Sequence, residues 1–300
     1  MINLRNFTRE ERAAIANDWL NVINQNYSEL VSYSITDTRR YYGRNNSWFS
    51  NLERGKAPKT SNVSIRIIPV DSVTCLFEGL EYNANPERKI AILNFASFKN
   101  PGGMFLNGSP AQEESLCHQS LLYPILKDFT QDYYEEHKKH LNKALYTTDI
   151  LYLPDVHFYN QTILSVKERD GKYVVKRKLN DKVKIADVIT CAAPNAGTYF
   201  KFYGKPEDTG KVEEELDFRI RAILNIARRN GVQDLILGAY GCGVFKCDPE
   251  MVAKIFFKYL RDPSVVGDVI RTAYFPIPIS KFDKNFDTFW KCYEQKDNLK

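Results

Sequence analysis

Two adjacent carboxylates, Glu113 and Glu114, follow a chain break at Asn100-Pro101-Gly102-Gly103 and a second turn at Asn107-Gly108. Carboxyl groups beside a sugar can supply the proton that a departing glycosidic oxygen needs. Apolar Ile92, Leu93 and Phe95 lead into the break. Proline fixes φ on one side of it, and glycine lets backbone amides approach a ligand without a side chain in the way. A strand ending in such a loop, with a helix just beyond, is where α/β proteins hold phosphates and sugars. Acids in the first turn of that helix sit in a favourable field. The same residues also suit an ordinary tight turn before a solvated first helical turn, and residue chemistry leaves both readings open.

A second glycine loop, Gly238 to Phe245 (GAYGCGVF), follows the strand-like DLIL and precedes a helix opened by Asp248-Pro249. Gly241 and Gly243 would let successive amides face a diphosphate, although a plain turn needs no more. The spacing is not GxGxxG and no GK[ST] follows, which argues against a P-loop nucleotide hydrolase. Cys242 has no histidine nearby in sequence, so a small side chain packed beside phosphates is the better reading than a nucleophile. Cys117 and His118 are helix neighbours that point in different directions and make a poor dyad. His137 and His140, in the charged run EEHKKH, read as an exposed helix face. With no HExxH and no CxxC, no metal ligand set is visible, and metal-independent chemistry without a cofactor is expected.

The order of these blocks resembles one family. Gly102-Gly103, then Met104 and seven more residues, then Gln112-Glu113-Glu114, is similar to the GGG-X(6–8)-QEE signature of poly(ADP-ribose) glycohydrolases. The flanking NFAS, NPGG, FLNG, AQEE, LC and LYP look like the microbial-type branch, and the likeness continues at Cys191-Ala-Ala-Pro-Asn195 and at Gly238–Phe245. The resemblance implies a macrodomain-like fold and hydrolysis of the ribose–ribose O-glycosidic bond of poly(ADP-ribose), releasing ADP-ribose. It makes Glu114 the acid that protonates the leaving hydroxyl and then the base toward water. Glu113 would hold ribose hydroxyls, and Gln112 would support the loop. Gly102 and Gly103 would admit the distal diphosphate and ribose. Gly241, Cys242, Gly243 and Val244 would contact the diphosphate, with Phe245 packed on the distal ribose. The alternatives are a hydrolase of single ADP-ribose units on modified protein or nucleic acid, and a macrodomain that binds ADP-ribose without cleaving it. One departure stands out: the third glycine of the triplet is Met104. A requirement for positive φ there would weaken activity, so Met104→Gly is expected to raise turnover or leave it unchanged.

The elements that must position these residues are legible from pattern. Thr8 with Glu11 is a capping-box signal for a helix to about Asn26. Residues 1–62 read as an N-terminal helical extension and linker packing on a catalytic domain of residues 63–300. Arg39, Arg40, Tyr41, Tyr42, Arg44, Trp48 and Phe49 within it would suit an anchor, or a clamp on ribose or adenine. VSIRIIPV and KIAILNF read as strands around a helix at DSVTCLFEGLEYN. The helix bearing the glutamates is expected to continue through LCHQSLLYPIL, with an exposed helix from Asp128 to Leu141. A charged hairpin turns at Arg169-Asp170-Gly171, and apolar ADVITCAAPN reads as a central strand ending in a loop at Pro194-Asn195, followed by a helix from Val212 to Asn230. Strand and helix alternation with short links suggests an α/β fold with a parallel or mixed sheet under helices, and the resemblance implies a macrodomain-like mixed sheet sandwiched by helices.

The chain has 300 residues, 43% hydrophobic and 26% charged, enough for a packed core, and a net charge of +5 that suits but does not require a polyanionic ligand. Six scattered cysteines, a leading MINLRNFTREER without an apolar core, and no apolar run near 18 residues point to a reducing, cytoplasmic setting with no membrane partner.

Overall fold

The computed structural model describes residues 2–43, 60–79, 87–205 and 209–297. It is a mixed α/β fold whose seven strands are β1 (Arg39–Tyr41), β2 (Ser64–Ile68), β3 (Ile90–Phe95), β4 (Ile150–Arg169), β5 (Lys172–Cys191), β6 (Asp234–Ile236) and β7 (Thr272–Pro276). They lie in the order β1-β4-β5-β3-β6-β7-β2. The run from β5 to β2 is parallel, and β4 is antiparallel to both β5 and β1.

Parallel strands covered on both faces need apolar residues on both. In β3, Ala91 and Leu93 face one layer and Ile92 the other, the period of two that a strand imposes. One layer is closed by α6 (Gly210–Arg229), α7 (Pro249–Leu260) and α8 (Asn285–Asp297), through residues such as Ile220, Phe256 and Phe289. The other is closed by α1 (Arg9–Asn26), α3 (Gln112–His118) and α4 (Leu122–Asp128), with α2 (Ser28–Asp37) beside them. A seven-residue helix, α5 (Ala196–Phe202), follows β5.

The capping box of α1 forms as expected: Glu11 N–H donates to Thr8 Oγ1 at 3.2 Å, and Thr8 N–H to Glu11 Oε2 at 2.8 Å. The hairpin also forms, with Asp170 and Gly171 at φ 52° and 72°, as a tight two-residue reversal requires. Its strands are continuous with the sheet, so the arm and ADVITC are one 20-residue strand.

Two expectations are corrected. The helix bearing the glutamates does not run on through Leu126: it stops at His118 and resumes at Leu122. The intervening backbone joins the sheet instead. Tyr159 N–H donates to Gln119 O at 2.8 Å and Leu121 N–H to His157 O at 3.1 Å. The region from Asp128 to Leu141 is not an exposed helix. Its helical turns bury Tyr133, Tyr134 and His137 while Lys138 and Lys139 face solvent, so the charge count hid an apolar stripe. His137 is edge-on to Tyr133, not on an exposed face.

Arg40 is paired with Asp132 at 2.8 Å and lies over the Phe129 ring, while Arg39 bonds Asn230. These are anchoring contacts rather than a clamp. Arg44, Trp48 and Phe49 lie outside the described residues.

Candidate active site

Strands β5, β3 and β6 are adjacent and parallel, so the loops after them emerge together at one end of the sheet. All three sequence blocks lie in those loops: residues 96–114, Ala192–Asn195 and Gly238–Phe245. They touch. Phe95 is edge-on to Tyr240 at 5.8 Å, and a Cβ on Gly241 would lie 2.8 Å from Ala193 Cβ.

Gln112 ties α3 to the end of β3. Its Oε1 accepts from Phe95 N–H at 2.9 Å, and its Nε2 donates to Leu93 O at 2.9 Å and Ser72 Oγ at 3.2 Å. The side chain thus completes the strand's own pattern and supports the loop. Its amide is turned toward the sheet rather than toward a ligand.

The glutamates that follow are both buried, at 3% and 5% exposure. Glu113 accepts from Ser97 N–H at 2.7 Å and from Asn94 Nδ2 at 3.2 Å. Glu114 Oε1 accepts from Met104 N–H at 2.8 Å, and Oε2 has no protein donor among the described residues. Burial pushes the Glu113 carboxyl up to about 8; the Ser97 amide opposes this, and the neighbouring Glu114 charge adds to it.

Gly102 and Gly103 adopt φ of +65° and +60°. A Cβ on Gly103 would lie 2.5 Å from Glu114 Oε1, and one on Gly102 would lie 2.6 Å from Tyr123. Glycine is required twice over, by conformation and by space. The amides do not open onto a ligand as expected. Gly102 N–H is directed at Glu113, Gly103 N–H donates to Asn100 O at 2.9 Å, and Met104 N–H holds Glu114. The loop is an anion nest filled by the protein's own carboxylates. Met104 has φ −108° and ψ 35°, so its position makes no demand for positive φ. The concern raised by the missing third glycine is removed.

The second loop is open where the first is filled. Gly241 has φ +75° and is crowded by Ala193 and Cys247, whereas a Cβ on Gly243 would meet nothing within 4 Å. Among the described residues no acceptor takes the N–H groups of Gly243, Val244 or Phe245, and Val244 is 77% exposed. Cys242 differs: its N–H donates to Ala239 O at 3.1 Å and its thiol lies near Tyr240 O. Burial, with Cys247 and Asp248 nearby, raises that thiol well above its ordinary range, which removes it as a nucleophile. Cys117 and His118 form no dyad: Cys117 Sγ lies against Gly102, and the His118 ring is edge-on to Phe105. Burial, aided by Arg177 and Arg12, lowers His118 to about 3.

Phe245 packs on Tyr146, ring centres 6.0 Å apart, and Tyr146 stacks on Phe98 at 3.7 Å. Tyr146 belongs to a left-handed stretch with positive φ at Asn142, Lys143, Ala144 and Tyr146. The buried Arg219 guanidinium donates to the carbonyls of Tyr146 at 3.2 Å and Thr147 at 3.3 Å, as well as to Leu145 O. Sequence reasoning missed Asn94, Ser97, Tyr146 and Arg219. Only Asn94 carried a signal, as a polar residue inside an apolar strand.

Among the described residues no helix is long and apolar enough to cross a membrane. The family model described as microbial-type PARG, catalytic domain, matches residues 17–161. Among solved structures, the chain is similar to the poly(ADP-ribose) glycohydrolase of Thermomonospora curvata, with 26% identity over 95% of this chain and 100% of that one and a TM-score of 0.77. The same enzyme bound to the inhibitor ADP-HPD aligns at 25% identity over 94% and 99%, with a TM-score of 0.75. The poly(ADP-ribose) glycohydrolase of Deinococcus radiodurans in complex with ADP-ribose aligns at 26% identity over 89% and 98%, with a TM-score of 0.71. No curated protein sequence matches.

Proposed function

We propose that this chain is a poly(ADP-ribose) glycohydrolase of the microbial type, a glycosidase-type hydrolase on a macrodomain-like fold, and that it cleaves poly(ADP-ribose) with Glu114 as general acid and base; the family model over residues 17–161 and the likeness to solved glycohydrolases support the reading. The observation that carries the reading is the pair of buried carboxyls nested against the Gly102–Met104 backbone, where three loops of the sheet converge.

The pair would work through one shared proton. Near neutrality the raised Glu113 keeps a proton in the site. A Cβ on Gly103 would lie 2.5 Å from Glu114 Oε1 and 3.1 Å from Glu113 Oε2, so the two carboxyls flank one point of the backbone. When ribose hydroxyls donate to Glu113 they favour its charged form, which moves the proton to Glu114. Glu114 Oε2, the oxygen without a protein donor, would then protonate the departing ribose oxygen as the C–O bond breaks. The resulting carboxylate takes a proton from the incoming water, whose oxygen bonds to the anomeric carbon. The amides of Gly243, Val244 and Phe245 would receive the diphosphate, with Gly241 supplying the turn and Phe245 a surface for the distal ribose. Cys242 would contribute bulk beside the phosphates rather than its amide, which is already bonded. Six unpaired, buried thiols support a reducing, cytoplasmic setting.

The test is release of ADP-ribose from polymer and from mono-ADP-ribosylated protein by the wild type and Glu114→Gln. Release from polymer, with turnover reduced about 10²- to 10⁴-fold in the variant, is expected. Release from the mono-modified protein alone would replace the polymer reading. Equal rates for the two proteins would end the Glu114 assignment.

A further inference from the structure

The hairpin formed by the distal halves of β4 and β5 is not used by the site. Residues 163–185 carry eight Lys or Arg and three Asp or Glu, while the rest of the chain carries 34 of each sign. The whole net charge of the protein therefore resides in one arm. Among the arm's cations Arg177 turns back onto the body, where it pairs with Asp18 at 2.7 Å and donates to Ile15 O at 2.8 Å. Lys172, Tyr173 and Val175 line a groove against α1, with Glu10, Ala13 and Asp18 on its other side. Alternation along the strand then turns Lys176 and Lys178 away from α1, opposite Ser165 and Thr162, with Lys167 on the same face opposite Val174. Arg169 and Lys172 pair at the tip.

The ribbon is two strands wide. Among the described residues β3 pairs with β5 over Asp187–Cys191, and β1 pairs with β4 over Ile150–Tyr152. The tip also lies at the far end of β5 from the site. Lys172 and Cys191 are separated by a length of strand of about 60 Å at ~3.3 Å per residue. The lysine-bearing face lies outside the glutamate nest, so the arm offers a polyanion a surface of its own. Lysines on a strand edge also deter strand addition, but either sign serves that purpose, and it does not explain a remainder without net charge.

We propose that this arm docks duplex nucleic acid, with its lysine-bearing face on the phosphates and its tip in the major groove. A major groove about 12 Å wide admits a two-stranded antiparallel ribbon, and clustered Lys and Arg release counterions on contact with phosphates. This stands apart from the hydrolysis reading, because docking is measured without turnover.

The experiment is fluorescence anisotropy with a duplex of about 20 base pairs over a salt series. It compares the wild type, Lys176→Gln and the triple variant Lys167→Gln/Lys176→Gln/Lys178→Gln. Wild-type binding that weakens steeply with salt is expected. The slope of log affinity against log salt should fall by about one in the single variant and by two to three in the triple variant. The triple variant should also lose roughly tenfold or more in affinity at low salt, with an unchanged melting temperature. Absence of duplex binding by the wild type at low salt would overturn the proposal, as would binding that the triple variant leaves intact. Arm-dependent binding of poly(ADP-ribose) but not duplex, measured in a Glu114→Gln background to keep the polymer whole, would overturn it too.

Discussion

Met104 N–H donates to Glu114 Oε1 at 2.8 Å, so the residue that breaks the family's glycine triplet holds the proposed acid through its backbone. Its side chain is 40% exposed and its φ of −108° is ordinary for any residue. Met104→Gly keeps the amide and relieves no strain, and it adds backbone freedom costing about 0.5–1 kcal/mol. Turnover is expected to stay unchanged or fall by no more than a few fold. A several-fold rise in kcat would mean that the methionine side chain obstructs the substrate.

Gly103→Ala tests the nest itself. The new Cβ would lie 2.5 Å from Glu114 Oε1 at a backbone φ of +60°. Glu114 must move, and displacement of a catalytic group by about 1 Å costs on the order of 10²-fold in rate. Steady-state kinetics should show the loss in kcat more than in KM. Near-normal turnover would show that the carboxyl need not lie against this backbone.

The raised Glu113 carboxyl makes stability depend on pH. Its folded value, about 8, lies above the ordinary 4.5. Its contribution is therefore fully present below about 4.5 and is lost as pH rises through about 8, because ionisation is opposed only in the folded protein. The swing is on the order of a few kcal/mol, at about 1.4 per pH unit. Melting temperatures at pH 5 and pH 9 should fall more for wild type than for Glu113→Gln. Parallel curves would place the proton elsewhere.

Two glycines of the second loop separate turn geometry from ligand approach. Gly241→Ala meets Ala193 and Cys247 at 2.8 and 2.9 Å, at a φ of +75°, and should lower both the melting temperature and activity. Gly243→Ala meets no protein atom within 4 Å. It should leave melting unchanged and raise KM by roughly tenfold through crowding of the diphosphate, a loss of about 1.4 kcal/mol. An unchanged KM would mean the phosphates pass elsewhere.

Arg219→Met removes the donor to the carbonyls of Leu145, Tyr146 and Thr147 and leaves Glu215, now 3.2 Å from the guanidinium, without that partner. Destabilisation of about 3 kcal/mol is expected in urea titrations. KM should rise as Tyr146 loses its place between Phe98 and Phe245, and Arg219→Lys should restore part of it. A KM unmoved by either change would confine Arg219 to structure.

Much of the candidate site was legible as a cluster because its residues are local. Gly102, Gly103 and Gln112 to Glu114 lie within one turn and one helix start, and Gly241 to Phe245 within another loop. The destination of the amides was not legible: the same Gly-Gly signal serves a bound phosphate or an internal carboxylate, and only the fold of 102–104 over α3 decides. Arg219 and Tyr146 were hidden for a related reason. They meet across 73 residues of chain, and positive φ at Tyr146 has no compositional sign. The break after His118 was missed because its cause is pairing of Ser120 with Phe158, on a strand 38 residues later.

The opening helix α1 has a role that its position in the chain conceals. Arg9 Nε donates to Asn107 O at 3.0 Å and Arg12 Nε to Gly108 O at 2.6 Å, and a Cβ on Gly108 would strike the Arg9 carbonyl. The turn that closes the glutamate loop is thus braced from behind by the first ordered helix. A shortened protein starting at residue 63 would keep every side chain assigned to chemistry and lose the backstop that keeps them in register, so the minimal working unit reaches back at least to that helix.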